Sequence, residues 1–190
     1  MKIRPKDPKI NEECHLDVLQ LEQKWLSLRR TSFPKNQARV KAFVLRQDDG
    51  SRIMPEAVYF DDEQGVVGDR WYRSKKRKKE EQIAVMNIHI AQMLANGQSL
   101  ELFGDNLFID LDISEQNLPV GTRLKIGDAL CEVSPEPHRP CSKFRKRFGK
   151  ASFKACFEDT EYRIRGIYIF VISGGDVALG DGVEVVRRRQ

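Results

Sequence analysis

The apolar positions of this chain fall into two regimes: one helical stripe near the N-terminus, then a succession of short runs separated by glycine turns. Val18, Leu21, Trp25 and Leu28 recur at three- and four-residue steps, and Leu16, Leu19 and Leu26 widen the stripe. Polar Glu22, Gln23, Lys24 and Arg29 lie between them. That spacing predicts an amphipathic helix over residues 13–30 whose apolar face docks on the main body. Asp7-Pro8 has the form of a cap followed by proline at the first helical position. The segment from Thr31 to Gln37 reads as a linker.

From Ala38 onward the pattern predicts strands at 40–45, 57–60, 83–86, 106–111, 123–126, 129–134, 167–172 and 183–186. Gly127-Asp128 signals a tight turn, and Gly174-Gly175 and Gly180-Asp181-Gly182 mark two more. The run from Ile167 to Ile172 is apolar throughout, which predicts a strand covered on both faces. Asn87 can cap a helix that ends at Asn96, with Gly97 as its stop. After Cys141, Phe144, Phe148, Ala151 and Ala155 return to helical spacing. The expected class is therefore mainly β with peripheral helices, an α+β fold built as a barrel or folded sheet. The expected organisation is an N-terminal helix and linker over residues 1–37 and one β domain over residues 38–190.

Composition narrows the function classes. The 190 residues include 33 Lys+Arg and 28 Asp+Glu, a net charge of +5 that favours anionic ligands without implying nucleic acid. The four cysteines, Cys14, Cys131, Cys141 and Cys156, form no CxxC pair, and no secretory signal precedes them. Reduced thiols in a cytoplasmic setting are the simpler expectation. No apolar run approaches the roughly 18 residues of a membrane span.

The densest chemistry lies at His138-Arg139-Pro140-Cys141-Ser142-Lys143-Phe144. Cations beside a cysteine favour its thiolate, the form that attacks electrophiles and ligates soft metals. Arg139, Lys143, Arg145, Lys146 and Arg147 all lie within six residues of Cys141, and Pro140 stiffens the backbone before it. The plainer alternative is a small buried hydrophobe. The loop Gly65-Val66-Val67-Gly68-Asp69-Arg70 offers backbone N–H groups, a carboxylate and a guanidinium, the parts of an anion cradle or of an ordinary turn. Asn106, after Gly104-Asp105, carries both a donor and an acceptor for a heterocycle edge, or for its own backbone. The basic run from Lys75 to Lys79 is followed at once by Glu80-Glu81 and reads as a solvated loop, as does the tail Arg187-Arg188-Arg189. His138, Cys141, Cys131 and Cys156 lack the close pairing of a zinc site. With three histidines and no G-x-S-x-G, a serine hydrolase is disfavoured.

Taken in order, GVVGDRW (65–71), IAVMNIH (83–89), GDNLFIDLDI (104–113), LPVGTRLKIGDALCEVSPE (118–136), HRPCSKF (138–144) and the closing GIYIFVISGG and GDGVEVV resemble the MOSC domain, the family named for the C-terminal part of molybdenum-cofactor sulfurases. Stand-alone bacterial members of that family are similar, and the resemblance spans residues 40–186. It implies a closed β-barrel like the inserted barrel of pyruvate kinase. It also implies the molybdenum cofactor (molybdopterin), with Cys141 as catalytic residue, either a molybdenum ligand or a persulfide sulfur carrier. Gly68, Asp69, Arg70 and Asn106 fall on the family's motif positions and become pocket-wall candidates. Arg139 and Lys143 are candidates for the pterin phosphate on charge grounds. The chain departs from the family at Trp71, where histidine is frequent, and at Asp105, where glutamate is frequent.

The activity so implied is reduction of a small N-hydroxylated base or amine, or sulfur transfer to the cofactor. An electron-donor reductase or a cysteine desulfurase would be the partner. The chain has no room for a pyridoxal phosphate domain of its own, so that cofactor would enter only through the desulfurase. A homodimer is compatible with the sequence. Two other readings are a basic barrel module that binds RNA through Lys75 to Lys79 and the arginine tail, and an interaction protein that docks through the N-terminal helix. For the last, deletion of residues 1–36 should leave the core folded.

Overall fold

A computed structural model describes residues 9–188. Its centre is a closed barrel of seven strands. The described residues supply twelve strands: β1 (Gln37–Phe43), β2 (Leu45–Arg46), β3 (Arg52–Ile53), β4 (Ala57–Asp61), β5 (Gly65–Val66), β6 (Ile83–Asn87), β7 (Leu107–Ile109), β8 (Arg123–Ile126), β9 (Ala129–Val133), β10 (Ile167–Ser173), β11 (Gly175–Ala178) and β12 (Gly182–Arg187). Around the barrel they run β1-β12-β8-β9-β10-β6-β7 and back to β1. Every neighbouring pair is antiparallel except β6 and β7, which are parallel and joined by a crossover through helix α2 (Ile88–Ala95). A small sheet of β11, β4 and β5 packs against the barrel and extends its core with Val58, Phe60, Val66 and Val177.

Two apolar layers follow from strand alternation. In β6, Ile83 and Val85 point into the barrel, while Met86 joins a second cluster outside it. In β7, Leu107 and Ile109 point inward and Phe108 outward. The outer cluster is covered by α1 (Val18–Arg29), α2 and α3 (Ser142–Glu158), which bring Leu21, Ala91, Leu94, Phe144 and Phe148 onto Phe103 and Phe108. The stacked pair Phe103–Phe148, 4.1 Å between centroids, ties α3 to this layer.

Local chemistry sets the helix ends. Asp17 caps α1 through a reciprocal box with Gln20, so the helix starts at Val18 rather than at residue 13; residues Glu12–Cys14 form a separate 3-10 turn. Asp7-Pro8 lies outside the described residues. Asn87 accepts hydrogen bonds from the His89 and Ile90 N–H groups and caps α2, and Asn96 (φ 46°) ends it in the left-handed region. α3 is broken at Gly149, whose φ of 83° and ψ of 173° belong to no helix.

Two expectations are corrected. The apolar run of β10 is not covered on both faces: Ile167, Ile169 and Val171 are buried, but Tyr168 and Phe170 are half-buried and Ile172 is exposed. The strand belongs to an antiparallel barrel wall with one incompletely covered face. The arginine tail is not simply solvated. Arg188 donates to the Asn117 carbonyl and side chain, to the Lys35 carbonyl and to Asn36 Oδ1, pinning the 31–37 linker; Arg189 lies outside the described residues.

Candidate functional site

The loop after β9 carries Ser134 to Pro140 over the end of the barrel and delivers Cys141 to the start of α3. Pro140 is buried, which anchors the loop, and Cys141 follows in an extended conformation (φ −102°, ψ 173°). Its carbonyl accepts the Arg145 N–H, as a helix N-cap must, but its side chain makes no capping bond and the residue is exposed. The other thiols differ. Cys131 lies inside the barrel and Cys156 on the buried face of α3, and burial pushes both up to about 12. Cys141 is thus the cysteine that an external reagent or ligand reaches most directly. Arg139 and Lys143 flank it, both exposed and without an ion pair among the described residues.

Beneath this loop lies a buried polar centre. Arg165, at the entry to β10, donates from Nη1 to both oxygens of Asp105, at 2.7 and 2.9 Å, and its guanidinium sits 5.0 Å over the Phe144 ring. Asp105 is fully buried and Arg165 is 6% exposed, so each charge depends on the other for compensation. Burial alone would lower the pKa of the arginine, but Asp105 outweighs it and holds the guanidinium above its ordinary value. His138 places Nδ1 3.5 Å from the same carboxylate and packs its ring 4.2 Å from Tyr168. Burial, reinforced by Arg165 and Arg46, holds its pKa well below 6.5, so the contact is with neutral imidazole and is not an ion pair. His138 Nδ1 and Arg165 Nε have no hydrogen-bond partner among the described residues, although both are buried. Burial also raises Tyr168 to about 12.

The glycine loop contributes differently from its sequence pattern. Asp69 turns away from Arg70 and accepts from the N–H, Nε and Nη2 of Arg46, at 2.7, 3.0 and 2.7 Å, and from the Trp71 N–H. Burial would raise this carboxyl, but the Arg46 bonds outweigh it and hold it below the usual carboxylate range. Gly68, at φ 92°, makes the turn that presents Asp69. Arg70 is half-buried and lines an open pocket of about 360 Å³ with Arg46, Trp71 and Arg73. Asn106 uses its side chain on backbone, accepting from Ala84 N–H and donating to the Val44 carbonyl, and so clamps β6 to the segment joining β1 and β2. Its amide is committed to the barrel wall.

Asp69 is bonded to Arg46, whose charge is felt by His138, three residues before Cys141, whereas Asn106 is bonded only to the backbone of Ala84 and Val44 among the described residues. No hydrogen bond or ion pair links Cys141, Arg139 or Lys143 directly to Gly68, Asp69, Arg70 or Asn106 among the described residues. A cavity of about 530 Å³ opens beside His138 and Arg139, with Cys156, Arg163 and Arg165 on its wall. Arg46, Arg165 and Tyr168 are components that pattern reading passed over. The signal for Arg165 was a lone arginine between Ile164 and the apolar run of β10. No group of three or more His, Cys, Asp or Glu side chains gathers as a metal cage among the described residues. No helix among them is long and apolar enough to cross a membrane.

The sequence matches the family model of the MOSC domain over residues 79–184. The match takes in Asn106, Arg139, Cys141 and Lys143, and begins after the glycine loop at 65–70. No curated protein matches by sequence. Among solved structures, a hypothetical protein superposes with a TM-score of 0.63 at 20% identity, over 86% of this chain and 72% of its own. The YuaD protein from Bacillus subtilis gives a TM-score of 0.58 at 19% identity, over 81% of this chain and 98% of its own. YiiM from Escherichia coli gives 0.58 at 21% identity, over 80% of this chain and 71% of its own. At these identities the superpositions establish a shared fold. The family match covers more than half of the chain, and on that ground this chain belongs to the MOSC domain family.

Proposed function

We propose that this chain binds the molybdenum cofactor, with Cys141 as the protein's thiolate ligand to the metal, and that it reduces small N-hydroxylated bases or amines. The observation that carries the reading is the placement of Cys141: an exposed thiol, free of any capping bond, two residues after Arg139, which lines a cavity whose wall also carries His138 and Arg165, each with a buried nitrogen unpartnered among the described residues. The donor set fits the group. Molybdenum bound by dithiolene sulfurs takes a further soft donor, and a thiolate is one. Arg139 and Lys143 are free cations for the pterin phosphate, and Arg165 Nε and His138 Nδ1 are donors or acceptors with no other commitment. Asp69 holds Arg46 on the wall of the neighbouring pocket with Arg70 and Trp71, and Asn106 fixes the β6 backbone.

When bound, the cofactor would supply the two-electron chemistry. The chain's part is to orient it, to screen its negative charge and to shape the cavity for substrate. Electrons would come from a separate donor. Sulfur transfer is the second reading, and the exposure of Cys141 favours it, because a desulfurase would need that sulfur at the surface. An RNA-binding role is less favoured. Lys78 pairs with Glu81 and Glu136, and Arg77 lies 5.0 Å over the Tyr72 ring, so the basic run is partly committed within the protein.

The test is molybdenum and pterin content after purification from a cofactor-competent host, wild type beside Cys141→Ser. Near-stoichiometric molybdenum in the wild type, lost in the variant, is expected. Absence from both would overturn the molybdenum reading and favour a transient sulfur carrier.

A further inference from the structure

The chain's charge is unevenly distributed. Residues 137–157 hold seven of the 33 Lys+Arg and none of the 28 Asp+Glu, so acids outnumber bases by two in the remainder. The whole basic excess is concentrated around Cys141. Elsewhere many cations are paired, as in Lys41–Asp110, Arg73–Asp48 and Arg123–Glu132, and within the segment Lys154 pairs with Glu158. By contrast Arg139, Lys143, Arg145, Lys146 and Lys150 are all exposed and form no ion pair among the described residues.

This placement opposes local stability. Cations in the first turn of a helix oppose its macrodipole, and α3 has neither a carboxylate there nor a side-chain cap. Arg145, Lys146 and Lys150 instead converge on one open groove of about 470 Å³, where Glu12 is the sole carboxylate on the wall among the described residues. Five cations spread over both halves of a broken helix exceed what one small anion can contact. The aromatic residues of the first half, Phe144 and Phe148, are turned inward at 3% and 1% exposure. The first half of the helix, next to Cys141, therefore lacks the rings that stack bases and the apolar side that an interfacial helix inserts into lipid; the exposed Phe157 lies in the second half.

We propose that the exposed face of α3 and the loop before it dock a small acidic protein, whose carboxylates engage Arg139, Lys143, Arg145, Lys146 and Lys150 and whose reactive group is thereby brought to Cys141. An interface of this kind is small, charge-steered and short-lived, suited to a partner that delivers and departs. The proposal takes from the preceding reading only that Cys141 is the atom to be reached.

The experiment is protection of Cys141 in the full chain from alkylation by iodoacetamide, read by mass spectrometry, with an acidic flavodoxin as the probe. Two variants of equal net charge are compared: Arg145→Glu/Lys146→Glu/Lys150→Glu on the face, and Lys24→Glu/Lys75→Glu/Lys125→Glu away from it. All six side chains are exposed, so both variants should keep the fold, checked by circular dichroism. At low ionic strength the flavodoxin should slow alkylation of the wild type and of the distant variant by at least ~5-fold. It should have no effect on the face variant, or on the wild type at about 1 M salt, where screening acts within about 3 Å. Equal protection of both variants, equal loss in both, or no protection of the wild type would overturn the proposal. So would protection by polyuridylate or by phosphatidylserine vesicles but not by flavodoxin. Alkylation needs no molybdenum, so a protein without metal but with intact protection would sink the cofactor reading and leave this one standing.

Discussion

At the scale of single residues, Asp105 is the most consequential side chain after Cys141. It compensates the buried charge of Arg165, and its loss leaves a guanidinium in an apolar surround beneath Phe144. Asp105→Asn should cost about 3–5 kcal/mol, the range for breaking a buried pair on one side, measured by urea unfolding. His138 adds a pH signature. Its folded pKa lies well below the ordinary 6.5. Below about pH 6.5 the unfolded chain takes up a proton that the folded chain refuses, so this contribution is complete above that pH and is lost as pH falls toward the folded value. The urea midpoint should therefore decline between about pH 7 and 5. His138→Gln should flatten that decline, and an unchanged slope would contradict the assignment.

At the scale of elements, the break in α3 separates a first half that follows Cys141 from a second half that packs under α1. Gly149 makes the break possible, since only glycine readily adopts φ 83° with ψ 173°, and a Cβ there would come 3.0 Å from His15. Gly149→Ala should lower stability by about 1–3 kcal/mol in thermal unfolding and speed or slow alkylation of Cys141 as the first half shifts. Strands and helices with strong periodicity were legible in the sequence: β1, β6, β8, β9, β12, α2 and the start of α3 lie where alternation or caps put them. The two-residue strands β2, β3 and β5 were not, because so short a run has no period to read. β11 was hidden by the Gly174-Gly175 pair, which marks a turn and also opens the strand. The proline and cations around Cys141 were legible in its immediate neighbours, and the structure leaves that thiol exposed. The Asp105–Arg165 pair was not, because its members are 60 residues apart and meet only through the crossover of β6 and β7.

At the scale of the whole molecule, the N-terminal helix belongs to the body of the protein. Leu16 and Leu21 are buried in the outer cluster with Leu94 and Phe148, and Trp25 donates from Nε1 to Asp159. The expectation that residues 1–36 could be deleted with the core intact is therefore revised. Deletion should expose the Phe103–Phe148 layer and give a protein that binds hydrophobic dyes and melts lower by several degrees. Arg188→Ala should act in the same direction but more weakly. It removes hydrogen bonds that hold the linker to Asn117, a loss of about 1–2 kcal/mol by equilibrium unfolding.

The pairing that closes the barrel also governs how the chain can reach this state. β1 lies between β7 and β12, and its register sets Gln37 opposite Glu184. The first strand of the barrel thus waits for the last one, with one of its edges open until β12 has been made. Joining such distant segments carries a large loop-closure entropy and slows folding. An unfinished or C-terminally clipped chain would keep that edge unpaired, a template for strand addition between molecules. Removal of residues 182–190 should therefore convert slow, productive refolding into aggregation, while leaving Cys141 and its cations present in a chain that cannot assemble around them.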